Sequence, residues 1–302
     1  MNDAIAIVVV SFNTRDLLRN CLEHLATATQ GIQTHVVVVD NASADGSADM
    51  VRGSLDRVHL IVNERNRGFG PACNQGIAAT TAPYVLLLNS DCSLRSGALA
   101  LLAGYLDDNP RVAAVGPRLL NEDGSLQLSA RRFPTPRRVL VEILGMSNRF
   151  EGQHVSGSAY DQAGPMDYVS GACLLLRRTA LDDVGVFDEA YFFYAEEMDL
   201  AYRLWQRAWQ VHYMPEAQAI HLGGRSTHQA QGGQLWYEPY YAGQARFFHK
   251  HYGTAALLAW QALMLLMHGW GLIRGARRSL VLSRLTLAAT WRELFRGAPV
   301  VR

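Results

Sequence analysis

Short apolar runs alternate along the chain with longer segments in which apolar residues recur at helical spacing. The runs IAIVVVSFN at 5–13 and HVVVVDNAS at 35–43 are rich in β-branched residues and end in polar ones. Such runs are typical of strands that are buried on both faces of a parallel sheet. VHLIVN at 58–63 and YVLLLNSD at 84–91 repeat the pattern, and RVAAVGP at 111–117 predicts a fifth strand.

This β–α alternation over the first 117 residues predicts an α/β fold, with a mostly parallel central sheet flanked by helices. Ligands bind at the carboxyl ends of parallel strands, so the polar residues that end these runs are expected to converge on one edge.

After 117 the pattern changes. The residues predict a strand in 166–178, a helix from about Glu196, two short strands in 210–224 and a closing helix near 238–252. Loops are expected at 131–138 and 145–165.

The segment 255–273 carries no formally charged side chain. As a helix it would be ~28 Å long, close to the thickness of a bilayer core. Seven arginines and a single acid follow between Arg274 and Arg302. A single span would separate this basic end from a cytoplasmic body, against the positive-inside tendency. We therefore expect attachment to the membrane surface, or a shallow hairpin; a true span and a soluble helical subdomain remain alternatives.

The composition suits a folded protein without nucleic acid as a partner. Hydrophobic residues make up 49% and charged residues 18%, and the formal net charge is +1. The four cysteines form no CxxC pair, which predicts reduced thiols and neither a zinc site nor a disulfide framework. The first residues lead directly into a strand pattern, so no signal peptide is expected.

Polar residues at the ends of the apolar runs are candidates for ligand binding. Asp40 could accept hydrogen bonds from a ribose or a base, or it could cap the following turn. No GxGxxG follows the first strand and no GxxxxGK[ST] occurs, which argues against a dinucleotide site and a P-loop. Gly68 and Gly70 precede a helix, where glycine permits close backbone approach to a ligand or merely forms a turn.

A second group of candidates lies further along the chain. Glu196, Glu197 and Asp199 follow the aromatic run YFFY at one helix start, where acids either cap the helix or line a pocket. His221 ends a short strand before two glycines; imidazole and carboxylate together can bind Mn²⁺ or Mg²⁺.

Taken in order, IVVVSFNTRDLL, VVVVDNASADGS, NRGFGPACNQG, VLLLNSD, SGACLLLRR, FDEAYFFYAEEMDLAYRL and IHLGG resemble glycosyltransferase family 2, in its rhamnosyltransferase-like branch. The resemblance covers about residues 4–250. It implies the GT-A nucleotide-sugar-binding fold. Residues 1–253 would form the catalytic domain, with a nucleotide-sugar half at 1–117 and an acceptor half at 118–253. Residues 254–302 would form a helical membrane-associating extension.

The resemblance also implies roles for individual residues. Asp91, the acid of Asn89-Ser90-Asp91, would hold Mg²⁺ or Mn²⁺ together with His221. Glu197 would be the catalytic base, with Glu196 or Asp199 as alternatives. The nucleotide-sugar would be bound by Ser11, Asn13, Asp40, Asn41, Asn66, Gly68, Gly70, Asn74, Asn89 and Ser90. Two residues depart from the family pattern: Asn89 replaces the first Asp of the Asp-x-Asp motif, and Glu197 replaces the Asp of Glu-Asp.

The expected function is an inverting transfer of a sugar, rhamnose, from a dTDP-linked or similar donor to a glycan or lipid-linked glycan in bacterial cell-surface polysaccharide synthesis. The enzyme would be cytoplasmic and attached peripherally to the inner face of the cell membrane. The alternatives are a nucleotidyltransferase that acts on sugar phosphates and a catalytically silent nucleotide-sugar-binding scaffold on the membrane. The residues SFNTRDLL lack the basic, Gly-rich loop that a nucleotidyltransferase would need, whereas Asn89 favours the silent scaffold.

Overall fold

The computed structural model describes residues 5–54, 58–146, 152–153, 155, 157–223, 237–273 and 278–295. The described strands are β1 Ile5–Ser11, β2 Thr34–Asp40, β3 Val58–Val62, β4 Tyr84–Asn89, β5 Cys92–Leu94, β6 Val112–Leu120, β7 Leu126–Gln127, β8 Ala130–Arg131, β9 Gly164–Pro165, β10 Tyr168–Val169, β11 Cys173–Arg177 and β12 Gln210–His221. The described helices are α1 Arg15–Ala28, α2 Ser47–Ser54, α3 Phe69–Ala78, α4 Ala98–Asp108, α5 Pro136–Ile143, a 3₁₀ turn at Gly157–Tyr160, α6 Arg178–Val184, α7 Glu196–Gln206, α8 Tyr237–Ile273 and α9 Arg278–Leu294.

One large sheet runs through the molecule in the strand order β3-β2-β1-β4-β11-β6-β12-β5. The first four strands in this order are mutually parallel, and β12 is parallel to β6. The expected α/β fold with a mostly parallel central sheet is therefore confirmed. The fifth predicted strand, β6, does not lie beside β4, because β11 inserts between them and pairs antiparallel with both.

The β1 strand explains why the apolar runs are continuous. Ala6 and Val8 belong to the core on one face of the sheet, while Ile7 and Val9 belong to the core on the other. Helix α3 packs so closely on β1 that a Cβ added at Gly76 would lie 2.3 Å from a methyl group of Val8. This contact fixes the distance between α3 and the strand ends that border the candidate site.

Strand β12 corrects the prediction of two short strands in 210–224. It is a single strand whose pairing with β6 is irregular between Met214 and Gln218, around Pro215, which has no N–H to donate. Pairing with β6 resumes at Gln218. The same strand also pairs with β5, where His221 lies opposite Cys92. The strand thus carries His221 to the residue next to Asp91.

The loop expected at 131–138 contains the start of a helix. Pro136 occupies the first turn of α5, and the hydroxyl of Thr135 accepts a hydrogen bond from the backbone N–H of Arg138. This is a favourable helix start that the loop prediction overlooked. Of the loop expected at 145–165, residues 147–151, 154 and 156 lie outside the described residues, and the remainder includes the 3₁₀ turn and β9.

The C-terminal helices form a folded cluster. Helix α8 is broken at Gly253, where φ is 81°. Its two halves fold against each other, since the Oη atom of Tyr241 lies 2.9 Å from Nε2 of His268 and the rings of Phe248 and Trp260 stack. Helix α9 packs on both halves through Ala289. By length and composition, α8 is the one helix in the described part of the chain that could cross a membrane, and 17% of its most apolar window is buried.

Candidate functional site

The end of β4 and the end of β12 bring three of the expected residues together. The Nε2 atom of His221 lies 3.4 Å from Oδ1 of Asp91 and 3.4 Å from Nδ2 of Asn89. The side chain of Asp91 is fully buried, whereas His221 and Asn89 line a cavity of about 180 Å³. The structure thus brings these three residues together at the carboxyl edge of the sheet, and their role in binding stays a prediction.

The donor set of this cluster fits a divalent cation. Two ligands that each lie about 2.1 Å from a metal at a right angle are about 3 Å apart, close to the separation of Asp91 Oδ1 and His221 Nε2. An imidazole beside a carboxylate suits Mn²⁺ and, with more oxygen ligands, Mg²⁺. Among the described residues there is no group of three or more His, Cys, Asp and Glu side chains that could hold a metal. Further ligands would therefore have to come from an amide, water or a bound substrate.

Glu196 and Glu197 form a second part of the same cavity, at the first turn of α7. The two residues before them, Tyr194 and Ala195, have φ values of 69° and 71°. Left-handed backbone at two successive residues with side chains is costly and is frequently found at functional sites. The turn is held in place by α8, because a Cβ added at Gly243 would lie 2.5 Å from the carbonyl oxygen of Tyr194.

The pKa values of Glu196 and Glu197 are both raised. Burial, and then the neighbouring charge of Glu197, raises the pKa of Glu196 well above its usual value. Burial likewise raises the pKa of Glu197, although Arg131 acts in the opposite direction. Glu196 is 4% exposed, and its Oε2 atom has no hydrogen-bond partner among the described residues, whereas Glu197 is half-buried. Glu197 is thus the more accessible acid.

Asp199 lies in a different environment. It is fully buried, and its carboxylate contacts Lys250 Nζ at 2.6 Å, His251 Nε2 at 2.8 Å and Arg203 Nε at 2.9 Å. Burial alone would raise its pKa, but the hydrogen bonds from His251 and Lys250 and the charge of Arg203 lower it overall. A carboxylate that accepts hydrogen bonds from Lys250, Arg203 and His251 and has a lowered pKa is a weak base. Asp199 therefore suits the joining of α7 to α8 better than proton transfer.

The expected nucleotide residues occupy the ends of β1 and β2. Ser11 is buried and its hydroxyl contacts Thr14, which in turn contacts Ser90. Asn13 exchanges hydrogen bonds with the loop after β2, donating from its backbone N–H to Ser43 Oγ at 2.9 Å. The Oδ1 atom of Asp40 accepts from the backbone N–H of Ser43, while the buried Oδ2 has no partner among the described residues. Asp40 therefore retains an oxygen for a ligand.

The remaining expected donor residues organise the turn before α3. Asn41 donates from Nδ2 to Asn66 Oδ1 at 2.9 Å and to the carbonyl oxygen of Gly68 at 3.0 Å. Gly68 has a φ of 91°, and a Cβ there would lie 2.2 Å from the carbonyl oxygen of Phe192. The side-chain amide of Asn74 is bonded in both directions to the backbone of Phe187, which holds the loop before α7.

Gly70 permits a similar close approach. A Cβ at this position would lie 3.2 Å from the side chain of Phe187 and 3.6 Å from that of Glu196. Gly70 and Asn74 therefore position the glutamate turn, and their predicted contact with the donor stays a prediction.

Several residues that line the cavity were not singled out in the sequence. They are Phe69, Ser170, Gly171, Ala172, Phe193 and Tyr194. The run YFFY was a signal for two of them. Residues 170–172 begin the motif SGACLLLRR, but their place in the cavity follows only from the position of β11 beside β4. Gln127 was also missed: its Oε1 atom lies 2.6 Å from Nδ1 of His221.

Comparison with known proteins places this chain. The family model described as glycosyl transferase family 2 matches residues 6–185. An N-acetylglucosaminyl-diphospho-decaprenol L-rhamnosyltransferase of Mycobacterium tuberculosis is 31% identical over 245 residues, which are 75% of this chain and 78% of that protein. A low-salt glycan biosynthesis hexosyltransferase of Haloferax volcanii is 23% identical over 225 residues, 73% of this chain and 68% of that protein.

Among solved structures, a mannosyltransferase of Pyrobaculum calidifontis in complex with GDP-Man and Mn²⁺ superimposes with a TM-score of 0.61. It is 16% identical, and the match covers 98% of this chain and 88% of that one. At this identity the likeness is one of fold, and the fold is GT-A.

The chain belongs to glycosyltransferase family 2. It is a transferase, and its sequence is similar to the rhamnosyltransferase-like branch of that family.

Proposed function

We propose that this protein transfers rhamnose, with inversion, from a nucleotide-diphospho-sugar such as a dTDP-linked donor to a hydroxyl of a lipid-linked glycan. One observation carries the proposal: two glutamates with raised pKa values share one cavity at the carboxyl edge of the sheet with His221, whose Nε2 atom lies 3.4 Å from Oδ1 of the buried Asp91. The similarity to a rhamnosyltransferase supports the choice of sugar.

The nucleotide of the donor would lie across the ends of β1 and β2. The Oδ2 atom of Asp40, which has no hydrogen-bond partner among the described residues, would accept a hydrogen bond from the base or the ribose, and Ser11 and Asn13 would border it. The turn formed by Asn41, Asn66 and Gly68 would present backbone to the donor. Asn89 and Ser90 would place the diphosphate near Asp91.

Asp91 and His221 would hold Mg²⁺ or Mn²⁺. When bound, this cation supplies positive charge to the diphosphate as it leaves the sugar. The chain's own contribution would be to fix Asp91 in the turn between β4 and β5 and His221 at the end of β12, and to leave room beside Asn89 for oxygens of the donor.

Glu197 would act as the general base. Its carboxylate accepts the proton of the acceptor hydroxyl while that oxygen forms a bond to the anomeric carbon, and the bond from this carbon to the diphosphate oxygen breaks on the opposite face. Burial raises its pKa toward the range in which a carboxylate is an effective base. Glu196, more deeply buried, is the weaker alternative because it remains protonated over a wider pH range.

An aromatic path would bring the acceptor to Glu197. The ring of Tyr194, in the cavity wall, lies 6.0 Å from that of Tyr240, which lies 5.6 Å from that of Tyr241. Tyr241 contacts His268 in the second half of α8, so the path joins the cavity to the C-terminal helices. Aromatic rings suit the apolar faces of sugars and the edge of a lipid layer. An acceptor with a sugar at one end and a lipid at the other fits this arrangement.

The C-terminal helices would bind the inner face of the cytoplasmic membrane. Leu266 is 70% exposed, Trp270 57% and Ile273 78%, and α9 adds exposed Trp291. Exposed apolar residues of this number, accompanied by arginines, are typical of helices that lie in a membrane interface. Residues 254–302 would thus be the membrane-associating segment, and residues 1–253, divided near 117, the catalytic domain.

Substitution of Glu197 by Gln tests the proposal. Glu197→Gln should lower kcat at least about 100-fold, the usual contribution of general base catalysis, and leave donor affinity unchanged. Glu196→Gln serves as the matched control and should retain most of the activity. Normal transfer by Glu197→Gln would contradict the base assignment.

A donor screen distinguishes this function from the alternatives. A specific nucleotide-sugar should raise the melting temperature of the wild-type protein, because a ligand that binds the folded state stabilises it. Binding of a donor without transfer to any acceptor would favour the silent scaffold, which Asn89 supports. Release of diphosphate from a nucleotide and a sugar phosphate would favour a nucleotidyltransferase.

A further inference from the structure

A row of polar side chains leads from the turn between β6 and β7 to His221. The Oγ atom of Ser125 lies 2.6 Å from Asp123 Oδ1 and 2.9 Å from Nδ2 of Asn121. The Oδ1 atom of Asn121 lies 2.9 Å from Nε2 of Gln127. The Oε1 atom of Gln127 lies 2.6 Å from Nδ1 of His221.

The donor and acceptor of each hydrogen bond in this row follow from the carboxylate of Asp123 at its outer end. The hydrogen bonds from the side chain and backbone of Ser125 lower the pKa of Asp123, so its carboxylate is ionised and can only accept. The hydroxyl of Ser125 must therefore donate to Asp123, which leaves its lone pairs to accept from the Asn121 amide nitrogen.

The same logic continues to the histidine. Because the nitrogen of Asn121 points to Ser125, its oxygen accepts from the Gln127 nitrogen, which also donates to the backbone carbonyl of His221 at 3.3 Å. The oxygen of Gln127 is then turned toward Nδ1 of His221 and can only accept. The proton of the neutral imidazole must reside on Nδ1, and Nε2 carries the lone pair.

The side-chain amide of Asn89 agrees with this assignment. The Nδ2 atom of Asn89, a hydrogen-bond donor, lies 3.4 Å from Nε2 on the cavity side. The Oδ1 atom of Asp91 lies at the same distance. An Nε2–H would donate to this oxygen. In the Nδ1–H tautomer, a cation bound between Nε2 and Asp91 would take the place of that proton.

We propose that the hydrogen-bond chain Asp123–Ser125–Asn121–Gln127 fixes His221 as the Nδ1–H tautomer and thereby presents Nε2 to the divalent cation. Gln127 is a positioning residue, since it acts through His221. This inference rests on the proposed function, in which Asp91 and His221 hold the metal. Metal-binding histidines generally donate their second ring N–H to an acceptor, which fixes the ring and increases its affinity for the metal.

Glycine at position 223 gives the chain the space it needs. A Cβ at Gly223 would lie 2.9 Å from the Nε2 atom of Gln127. A side chain at this position would push the amide from its place between Asn121 and His221. The β6–β7 turn and the end of β12 are far apart in sequence. Together they hold the side-chain amide of Gln127 in place.

Nitrogen NMR of the metal-free, full-length protein with ¹⁵N-labelled histidine, above pH 7.5, tests the tautomer. The signals of His221 are identified by their loss in His221→Ala. We expect a protonated Nδ1 and an unprotonated Nε2 in the wild-type protein. In Gln127→Met, which keeps the length of the side chain but accepts no strong hydrogen bond, a mixture of tautomers should appear.

Binding of Mn²⁺ alone, followed by the electron paramagnetic resonance signal of the free ion, tests the consequence. Gln127→Met should raise the Kd for Mn²⁺ by about 10- to 100-fold, the usual effect of removing such a partner. Gln127→Glu keeps an acceptor for Nδ1–H and should remain within a few fold of the wild type. The exposed Gln30→Met on the segment after α1 is the control for the substitution itself.

Two results would overturn the inference alone: a wild-type His221 protonated at Nε2 in a protein that binds Mn²⁺, or a Gln127→Met protein whose Mn²⁺ affinity equals that of the wild type. Failure of the wild-type protein to bind Mn²⁺ would instead overturn the metal site of the proposed function, and with it this role of Gln127.

Discussion

The hydroxyl of Tyr241 lies 2.9 Å from Nε2 of His268, and this contact closes α8 upon itself. Tyr241 precedes the break at Gly253 and His268 follows it, so the two halves of α8 run side by side. Burial of His268 at 2% exposure means that one face of the apolar segment 255–273 is used for packing. The opposite face, which carries Leu266 and Trp270, is exposed.

Removal of apolar side chains from this outer face should weaken membrane binding. We expect the double variant Leu266→Gln, Trp270→Gln to partition onto vesicles of anionic phospholipid at least about tenfold less than the wild type, because each apolar side chain contributes roughly 1.5–3 kcal/mol when buried. Co-sedimentation measures the effect. Leu101→Gln, on the exposed side of α4, is the matched control. Equal partition of all three proteins would contradict the proposed membrane face.

A second carboxylate at position 89 should strengthen metal binding. Asn89→Asp would add a charged oxygen next to Asp91 and His221, and affinity for hard cations rises with the number of charged ligands. We expect the Kd for Mn²⁺ to fall by about tenfold, as measured by titration. The exposed Asn20→Asp on α1 controls for the change in net charge. An unchanged Kd would show that residue 89 lies outside the metal's shell.

The pH dependence of transfer should report the raised pKa of Glu197. A general base must be deprotonated, so kcat should decline as the pH falls through this pKa, at a pH above the ordinary glutamate value of 4.5. The measurement is kcat at saturating substrates across pH 5 to 9. The decline of kcat at low pH reflects the titration of the two neighbouring glutamates together. This decline should persist in Glu196→Gln. A flat profile down to pH 5 would contradict a buried base.

Replacement of Glu196 by Gln should stabilise the protein at neutral pH. Burial raises the pKa of Glu196 in the folded state, so folding favours the protonated form, and the stability that this form contributes is lost as the pH rises above 4.5. Gln imitates the protonated acid at every pH. The melting temperature of Glu196→Gln should therefore exceed that of the wild type at pH 8, with the difference shrinking toward pH 4.5.

Thermal unfolding at several pH values measures this difference, and Glu23→Gln on the exposed face of α1 is the control. A lower melting temperature for Glu196→Gln at pH 8 would contradict the prediction.

Loss of the carboxylate at position 199 should destabilise the fold. Asp199→Asn leaves Lys250, His251 and Arg203 without their shared buried partner, which typically costs about 3–5 kcal/mol. Because the pKa of Asp199 is lowered, this stability is present above its unfolded value of 3.8 and is lost as the pH falls below it. Urea unfolding at pH 7 measures the change.

Asp49→Asn, which breaks the exposed ion pair with Arg52, is the control and should cost less than about 1 kcal/mol. Similar unfolding curves for Asp199→Asn and the wild type would show that the network contributes little.

The sequence predicted the structure best where a continuous apolar run forms a strand that is buried on both faces. The apolar runs from Ile5 to Ser11 and from Tyr84 to Asn89 predicted strands β1 and β4, because a strand buried on both faces must be apolar throughout. The polar residues that follow each run predicted the ligand edge, and the order of the motifs identified the family.

The sequence was least informative where partners are distant along the chain. The sequence places the acids at 196, 197 and 199 together at one helix start. In the structure, helical geometry turns Asp199 toward Lys250 and His251, while Glu196 and Glu197 line the cavity. The insertion of β11 between β4 and β6 brings Ser170–Ala172 to the site, and no local pattern encodes such a neighbour.

By itself, therefore, the sequence determined the α/β class and the family and supplied the candidate residues for its chemistry, because these depend on composition and short-range order. Only the tertiary structure decided which acid is accessible, that α8 doubles back at Gly253, and that Gln127 meets His221. These outcomes depend on packing and on hydrogen bonds between segments that are far apart in sequence, and such contacts are fixed only when the whole chain has folded.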